Sequence, residues 1–206
     1  MSDGRRGTDY RGKRALDVTL VVLAAVIALP VGLVLAVLVR VTSRGPALHR
    51  ARRVGREGEP FTLYKFRSMR TDAATTGPGI TAGDDARITP VGRLIRRTKL
   101  DELPQLWNVL RGDMSIVGPR PEDPRYVEWY SDEQRAILQW RPGITSPASV
   151  TYRDEEALLA GSSDLDAAYR SVMADKLALD LAYFPNSSLT GDLRWIVRTV
   201  AAVVGR

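Results

Sequence analysis

The longest apolar segment of the chain lies near its N-terminus. Residues 18–39 contain no charged side chain, and as a helix they would extend about 33 Å at about 1.5 Å per residue, enough to cross a bilayer. Pro30 stands near the middle of the segment, where it removes a backbone hydrogen bond and favours a kink or a break in the helix. The pattern therefore predicts a Pro-broken membrane helix over about residues 16–40.

The basic residues that flank this segment favour a re-entrant course. Within residues 1–60, five Lys or Arg side chains precede the apolar run and six follow it. Because positive clusters stay on the cytoplasmic side, a helix that dips into one leaflet keeps both clusters there, whereas a straight span translocates one of them. A kinked single span is the main alternative. A cleaved signal peptide and a buried soluble helix fit the length of the run less well.

Periodicity predicts a short hairpin and several helices after the membrane segment. The stretch from Arg52 to Arg70 combines a Gly-containing turn with a strand-like segment and predicts a β-hairpin. Thr89 and Pro90 form an N-cap and first-turn pair for a helix that runs to about Thr98. Later helix starts are predicted at Ser131 with Gln134, at Ser163 or Asp164, and at Thr190 or Asp192.

The segment LDELPQLWNVLRG has the most informative helical pattern. Apolar side chains recur at helical spacing from Leu103 to Leu110, and Gly112 supplies a stop. This pattern places Asp101 and Glu102 together at the N-terminus of the predicted helix.

These elements predict an α+β fold, in which a single, mainly helical domain contains a small β-hairpin. Residues 1–12 are expected to form a basic arm, and residues 13–206 a catalytic domain that includes the membrane helix. Apolar side chains of the last helix share one face, as in an amphipathic helix at a membrane surface. Packing of that face against the domain explains the same pattern equally well.

Composition and charge narrow the chemistry. The chain of 206 residues has no cysteine and one histidine, His49, which excludes disulfides, Cys/His zinc sites and cysteine nucleophiles. The net charge of +6 is concentrated around the apolar run, a pattern that favours an anionic membrane surface over nucleic acid. Carboxylates, arginines and lysines are left as the candidates for catalysis.

The adjacent acids Asp101 and Glu102 are the strongest catalytic candidates. The positive end of a helix dipole favours their ionised form, and an ionised carboxylate can attack phosphorus. A hard cation also suits such a site, because Mg²⁺ takes few carboxylates and shares phosphate oxygens. Cations that could bind phosphate are Lys65, Arg67, Arg96 and Arg120. Helix capping by the acids, and solvated or strand-edge positions for the cations, are the structural alternatives.

Several long motifs also occur in a characteristic order, namely KRALD (residues 13–17), YKFRSM, LDELPQLWNVLRGDMSIVGPRPE, RPGIT and DLAYFPNSSLTGDL. In these motifs and in the Pro-containing apolar helix, the chain resembles the monotopic polyprenyl-phosphate phosphoglycosyl transferases. These are bacterial sugar transferases that start glycan assembly on a lipid carrier. After RPGIT the chain reads SPASVTYRDEE, where many relatives have a Gly, a Gln and an NGR-like element.

The resemblance implies a covalent mechanism. Asp101 would attack the β-phosphorus of a nucleoside diphosphate sugar, usually a UDP-sugar, release UMP and pass the phosphosugar to polyprenyl phosphate. Glu102 would be the residue associated with Mg²⁺. The resemblance further implies a re-entrant anchor at Pro30 on the cytoplasmic face of the bacterial inner membrane, and positions near the phosphates or around the site for Lys65, Arg96, Arg120, Arg141 and Asp180.

Two other function classes remain open. A metal-dependent glycosyltransferase would use a D-x-D motif such as Asp164-Leu165-Asp166 and would release UDP. A noncatalytic membrane-surface module would rely on the basic flanks and would tolerate Asp101→Asn. A nucleic-acid binder fits least, because the basic residues lack interleaved aromatic side chains. We therefore expect polyprenyl phosphate, a UDP-sugar and membrane lipid as partners and no nucleic acid, and the sequence is compatible with a homodimer.

Overall fold

A computed structural model of the chain describes residues 9–73 and 85–205, so most of the predicted arm over residues 1–12 lies outside the described residues. The elements within these ranges are α1 (Lys13–Thr42), β1 (Leu48–Val54), β2 (Pro60–Phe66), α2 (Pro90–Arg97), α3 (Gln105–Arg111), β3 (Ser115–Val117), α4 (Pro124–Val127), α5 (Asp132–Arg135), β4 (Gly143–Thr145), α6 (Pro147–Thr151), α7 (Glu155–Leu159), α8 (Leu165–Tyr183) and α9 (Leu189–Val204). The predicted mainly helical architecture with a small antiparallel hairpin is confirmed.

Helix α1 continues through Pro30 without interruption, so a break in the helix at this residue is wrong, while the alternative, a kink, stays a prediction. A proline removes one hydrogen bond from the ladder, and the flanking turns of this 30-residue helix keep the backbone helical across it. Within the described residues, α1 alone has the length and apolar composition needed to cross a membrane. Its apolar side chains are largely outside the core: Val26 is 75% exposed and Ile27 71% exposed.

The two-stranded hairpin pairs β1 with β2 in antiparallel register, from Leu48 opposite Phe66 to Val54 opposite Pro60. The predicted hairpin is therefore confirmed, with its first strand beginning slightly earlier. Sequence reasoning did not predict the short parallel pair β3–β4. There the two chain segments approach each other closely. A Cβ on Gly118 would overlap the carbonyl oxygen of Arg141, so glycine is needed at this position. This contact holds the two loops that follow β3 and precede β4 against each other.

Most predicted helix starts are confirmed by capping hydrogen bonds. Gly92 N donates to Thr89 Oγ1 at 2.9 Å, and Ala167 N donates to Asp164 Oδ1 at 3.0 Å. The capping box of Ser131 and Gln134 is also present. The last helix differs, because Ser188 caps α9 in place of the predicted Thr190 or Asp192. Asp192 is instead buried within the fold.

Helix α9 divides its apolar side chains between the core and the surface. Trp195 and Ile196 pack against the core cluster that includes Tyr169, Met173 and Leu177 of α8. Val197 and Val200 are 67% and 56% exposed, respectively. The predicted packing of α9 on the domain is thus confirmed for one side of the helix, and the other side presents an unpaired apolar strip.

Candidate active site

The two candidate acids lie in one 3-10 turn, Leu100–Glu102, between α2 and α3. Lys99 precedes this turn with a φ of 57°, in the left-handed region that non-glycine residues rarely adopt. Strained residues of this kind cluster at functional sites. Helix α3 begins only at Gln105, so the predicted position of the acids at an α-helix N-terminus is wrong. A left-handed residue turns the chain out of the path that a continuous helix needs.

The Asp101 carboxylate is buried and accepts no hydrogen bond from the described residues. The residue is 6% exposed, and within residues 9–73 and 85–205 no side chain or backbone group donates a hydrogen bond to its carboxylate. Burial raises the pKa of Asp101, with the positive charge of Lys65 opposing the rise and the negative charge of Glu102 adding to it. The direction is opposite to the helix-dipole expectation, because desolvation outweighs the neighbouring cations.

Glu102 has the opposite environment. Its Oε1 atom lies 3.0 Å from Lys65 Nζ and 3.4 Å from Arg120 Nη2. Although burial favours the neutral form, these two cations hold the pKa of Glu102 far below its usual range. The adjacent acids therefore differ sharply, since Glu102 is a fixed anion between two cations and Asp101 remains available to a substrate.

Backbone-to-side-chain hydrogen bonds position Lys65 over this turn. Asn108, on α3, is fully buried, accepts from Tyr64 N at 3.1 Å and donates to the Thr62 carbonyl at 2.7 Å. These bonds tie α3 to β2 one residue before Lys65. Strand β2 and helix α3, which are distant in sequence, thereby place the side chain of Lys65 beside the two acids. The periodicity of the sequence did not indicate this role of Asn108.

Arg96 forms the cationic wall of the neighbouring cleft. Its guanidinium is paired with Glu156, and Nη1 lies 3.5 Å from Ser68 Oγ. Arg96, Lys65 and Arg120 line one cavity of about 200 Å³, and Arg96, Lys65 and Asp101 line another. The fold thus brings together Lys65, Arg96, Asp101, Glu102 and Arg120, as the sequence predicted.

Three other predicted site residues lie in different surroundings. Arg67 is buried and donates to the carbonyls of Ser43 at 2.9 Å and Val39 at 3.2 Å, so that it closes the C-terminal end of α1. Arg141 pairs with Asp9 at 2.9 Å. Arg67 lines one of the cavities that Asp101 also lines, but its guanidinium is directed to α1. Within the described residues, no hydrogen bond or ion pair joins Arg67 or Arg141 to the acid pair.

Asp180 lies inside α8 and is 3% exposed. Its Oδ1 atom accepts a hydrogen bond from Ala148 N at 3.0 Å, at the start of α6. Burial raises the pKa of Asp180 to about 7. This carboxylate lines a small cavity together with Arg120. Its hydrogen bond with Ala148 N, however, joins α8 to α6 and has a structural role.

Sequence reasoning missed the acidic side chains that reach the cationic cleft. Glu156 pairs with Arg96, and Glu155 pairs with Lys176 at 2.9 Å. Both acids belong to RDEE, the stretch after RPGIT in which the chain departs from its resemblance. The different sequence of this stretch was the only sign in the sequence that it could have a special role. The two ion pairs join positions that are too distant in sequence for a spacing rule to predict.

The acid pair fits a magnesium ion that takes most of its ligands from phosphate and water. The part of the chain that the structure describes has no cluster of three Asp, Glu, His or Cys side chains suited to a metal, so a protein-only cage is absent there. Both hydrogen bonds of the Glu102 carboxylate use Oε1, and within the described residues the Asp101 carboxylate accepts none. Free carboxylate oxygens remain on both residues, which is the donor set that Mg²⁺ needs beside a diphosphate.

Comparison with known proteins identifies the family of this chain. The sequence profile of a family described as "Bacterial sugar transferase" matches residues 8–206. The chain belongs to the bacterial sugar transferase family. The predicted class of enzyme, a phosphoglycosyl transferase, is thereby confirmed.

Relatives within this family cover almost the whole chain. The UDP-glucose:undecaprenyl-phosphate glucose-1-phosphate transferase of Caulobacter vibrioides is 39% identical over 206 residues, covering 97% of this chain and 72% of that protein. The exopolysaccharide production protein PSS of Rhizobium leguminosarum is 37% identical over 201 residues, covering 94% and 96%, respectively. The undecaprenyl-phosphate galactose phosphotransferase of Salmonella typhimurium is 36% identical over 210 residues, covering 94% and 40%.

Proposed function

We propose that this bacterial sugar transferase moves a sugar phosphate from a UDP-sugar to a polyprenyl phosphate through a covalent intermediate on Asp101. The observation that carries the proposal is the contrast between the two acids. Asp101 is buried without a hydrogen-bond donor, while Glu102 is held by Lys65 and Arg120. The names of the relatives, which include glucose and galactose phosphate transferases to undecaprenyl phosphate, support the substrate class.

In the first step, a carboxylate oxygen of Asp101 forms a bond to the β-phosphorus of the donor. The bond from that phosphorus to the bridging oxygen breaks, and UMP leaves with the bonding electrons. Lys65, Arg96 and Arg120 bind the negative oxygens of the diphosphate, which lowers the repulsion that an attacking carboxylate meets. Burial raises the pKa of Asp101, and the positive charge of Lys65 favours the ionised form that attacks.

In the second step, a phosphate oxygen of the acceptor attacks the same phosphorus. The bond to the Asp101 oxygen breaks, so the carboxylate is restored and polyprenyl diphosphosugar is released. Two displacements at one phosphorus predict net retention of its configuration. They also predict that donor cleavage proceeds before the acceptor binds, which is the signature of covalent catalysis.

Glu102, with Asp101 beside it, would hold Mg²⁺ together with the donor diphosphate. When bound, the ion neutralises phosphate charge and polarises the phosphoryl oxygens. Lys65 and Arg120 donate to Oε1 of Glu102. These two contacts fix the orientation of the carboxylate and leave Oε2 available to the ion. Loss of either cation would therefore disturb the orientation of this ligand.

We also propose that α1, kinked at Pro30, is a re-entrant anchor that enters one leaflet from the cytoplasmic face of the plasma membrane. Both ends of the helix are held by the domain, through Lys13 to Asp192 at one end and Arg67 to Val39 and Ser43 at the other. The apolar side chains between these ends are exposed, and basic residues flank both of them. A homodimer stays a prediction.

The nucleotide product tests the reaction directly. Detergent-solubilised protein is incubated with UDP-sugars, polyprenyl phosphate and Mg²⁺, and we expect UMP from the wild type and none from Asp101→Asn. Asp164→Ser is the matched control, because serine keeps the N-cap of α8 and the rival glycosyltransferase needs the D-x-D acid. Release of UDP that Asp164→Ser abolishes would replace the proposal with ordinary glycosyl transfer. Full activity of Asp101→Asn would also overturn it.

A further inference from the structure

An apolar cavity of about 300 Å³ adjoins the acid pair on the side of Glu102. It lies between the turn that carries Asp101, the first turn of α3, the β4–α6 segment and the end of α9. Its apolar walls are formed by Leu100, Leu103, Leu106, Ile144, Val150 and Val203. Neither the attack by Asp101 nor the binding of a diphosphate uses these side chains.

One edge of this apolar cavity is polar and continues into the cationic cleft. Lys99, Arg120 and Arg153 line both the apolar cavity and the cleft that also contains Arg96. Glu102 lies at the same edge. Within the described part of the chain, the Lys99 ammonium forms no hydrogen bond or ion pair. A ligand that fills the whole surface therefore needs an anionic head beside an apolar tail.

The far wall of the cavity belongs to the helix with the exposed apolar strip. Arg153 Nη1 donates to the Ala202 carbonyl at 2.7 Å, and this bond attaches the end of α9 to the cavity edge. Val197 and Val200 are exposed on the same helix. An apolar chain that leaves the cavity along α9 therefore meets further apolar surface and not bulk water.

The geometry points to this cavity as the subsite for the first isoprenoid units of polyprenyl phosphate, with the phosphate held beside Lys99. The inference rests on the proposed function and adds the position of the acceptor to it. Charge and polarity separate the two substrates, because the donor's diphosphate matches the cationic cleft and its nucleoside has no apolar chain to fill these walls. A membrane phospholipid shares the same chemistry, an anionic phosphate attached to an apolar chain, so the test must separate it from polyprenyl phosphate.

Two neighbouring alanines offer a matched test. Ala202 lines the cavity, whereas Ala201 is exposed and does not. Ala202→Phe fills the cavity, and we expect the KM for polyprenyl phosphate to rise at least tenfold. Ala201→Phe should leave that KM unchanged. The polar variant Val203→Asn, with the exposed Ala201→Asn as its control, repeats the comparison without added volume in the cavity.

The first half-reaction distinguishes an acceptor defect from a general one. Exchange of labelled UMP into the UDP-sugar needs Asp101 and the donor but no acceptor, so we expect Ala202→Phe and Val203→Asn to retain wild-type exchange. Equal losses of exchange and transfer would overturn the subsite, as would an unchanged acceptor KM in both variants. Absence of exchange in the wild type would instead contradict the proposed covalent mechanism.

Vesicle binding separates the two lipid sources. The wild type and Ala202→Phe are floated with phospholipid vesicles that contain no polyprenyl phosphate. Equal flotation of the two proteins, together with the raised acceptor KM, supports the acceptor subsite. Loss of flotation with an unchanged KM would assign the cavity to membrane phospholipid and overturn the inference.

Discussion

Lys65 Nζ lies 3.0 Å from Glu102 Oε1, and this ion pair joins strand β2 to the turn that carries Asp101. Both side chains are mostly buried, at 21% and 11% exposure. The pair fixes one acid as an anion and leaves its neighbour without a partner. The division of roles between two adjacent carboxylates thus arises from a contact across the fold.

Removal of the Lys65 charge should narrow the active pH range. Burial raises the pKa of the nucleophile Asp101, and the positive charge of Lys65 opposes that rise, so Lys65→Gln raises this pKa further and moves the acid limb of kcat/KM to higher pH. We expect kcat/KM at neutral pH to fall on the order of 10²-fold, the typical loss for one electrostatic contact. Lys65→Arg should retain the acid limb, and Arg52→Gln on the same hairpin should change neither quantity. An unmoved acid limb in Lys65→Gln would contradict this role.

Release of Arg96 from its acidic partner should improve donor binding. Arg96 is paired with Glu156, and a bound diphosphate competes with that carboxylate for the same guanidinium. Glu156→Gln should therefore lower the KM for the UDP-sugar by about threefold to tenfold, a gain of about 1 kcal/mol. Steady-state kinetics on this variant and on Glu128→Gln, an exposed carboxylate, check the prediction. A raised KM in Glu156→Gln would show that the glutamate helps binding.

The buried contact between α1 and α9 should contribute strongly to stability. Lys13 Nζ lies 2.6 Å from Asp192 Oδ2, and the hydroxyls of Tyr10 and Tyr183 donate to the same carboxylate. Lys13→Met leaves a buried anion without its cation, which costs about 3–5 kcal/mol. Denaturant unfolding in detergent should show this loss, and Lys13→Met with Asp192→Asn should recover part of it. Equal stabilities of the single and double variants would contradict the pairing.

Asp180 should make stability depend on pH in an unusual direction. Its folded-state pKa of about 7 lies above the ordinary value of 3.8, so the native state binds the extra proton. The stability that this proton provides is complete below the unfolded pKa and is lost as the pH rises through 7.

Asp180→Asn removes this titration and keeps an oxygen that can accept from Ala148 N. Relative to wild type, the variant should therefore gain on the order of 2 kcal/mol in unfolding free energy between pH 5 and pH 8, since one pKa unit corresponds to about 1.4 kcal/mol. Denaturant unfolding at the two pH values measures the gain. Asp175→Asn, an exposed position on the same helix, should show none. An unchanged difference between Asp180→Asn and wild type would contradict the raised pKa.

Features fixed by local interactions were predictable from the sequence. Thr89 and Asp164 cap their helices through bonds to residues three positions away, and the hairpin follows from a turn between strand-like segments. Such signals fit within a short window of sequence. The candidate acids were found in the same way, because they adjoin a strong helical pattern.

Features fixed by long-range contacts were not predictable. The parallel pairing of Ser115 with Gly143 and the ion pair of Arg96 with Glu156 join distant segments, and no periodicity encodes them. The pKa of Asp101 was predicted in the wrong direction for the same reason, because its burial depends on the elements that cover the turn. Arg67 looked like a substrate cation, yet in the fold its donors bind the carbonyls at the end of α1.

The covalent role of Asp101 is the central claim, and the mass of the protein after exposure to donor tests it most directly. The protein is mixed with UDP-sugar and Mg²⁺ without acceptor, quenched in acid and analysed by intact and peptide mass spectrometry. We predict an added mass of one sugar phosphate on the peptide that contains Asp101, removed by polyprenyl phosphate and absent from Asp101→Asn. Transfer to the acceptor without any adduct, or an adduct on another residue, would contradict the account.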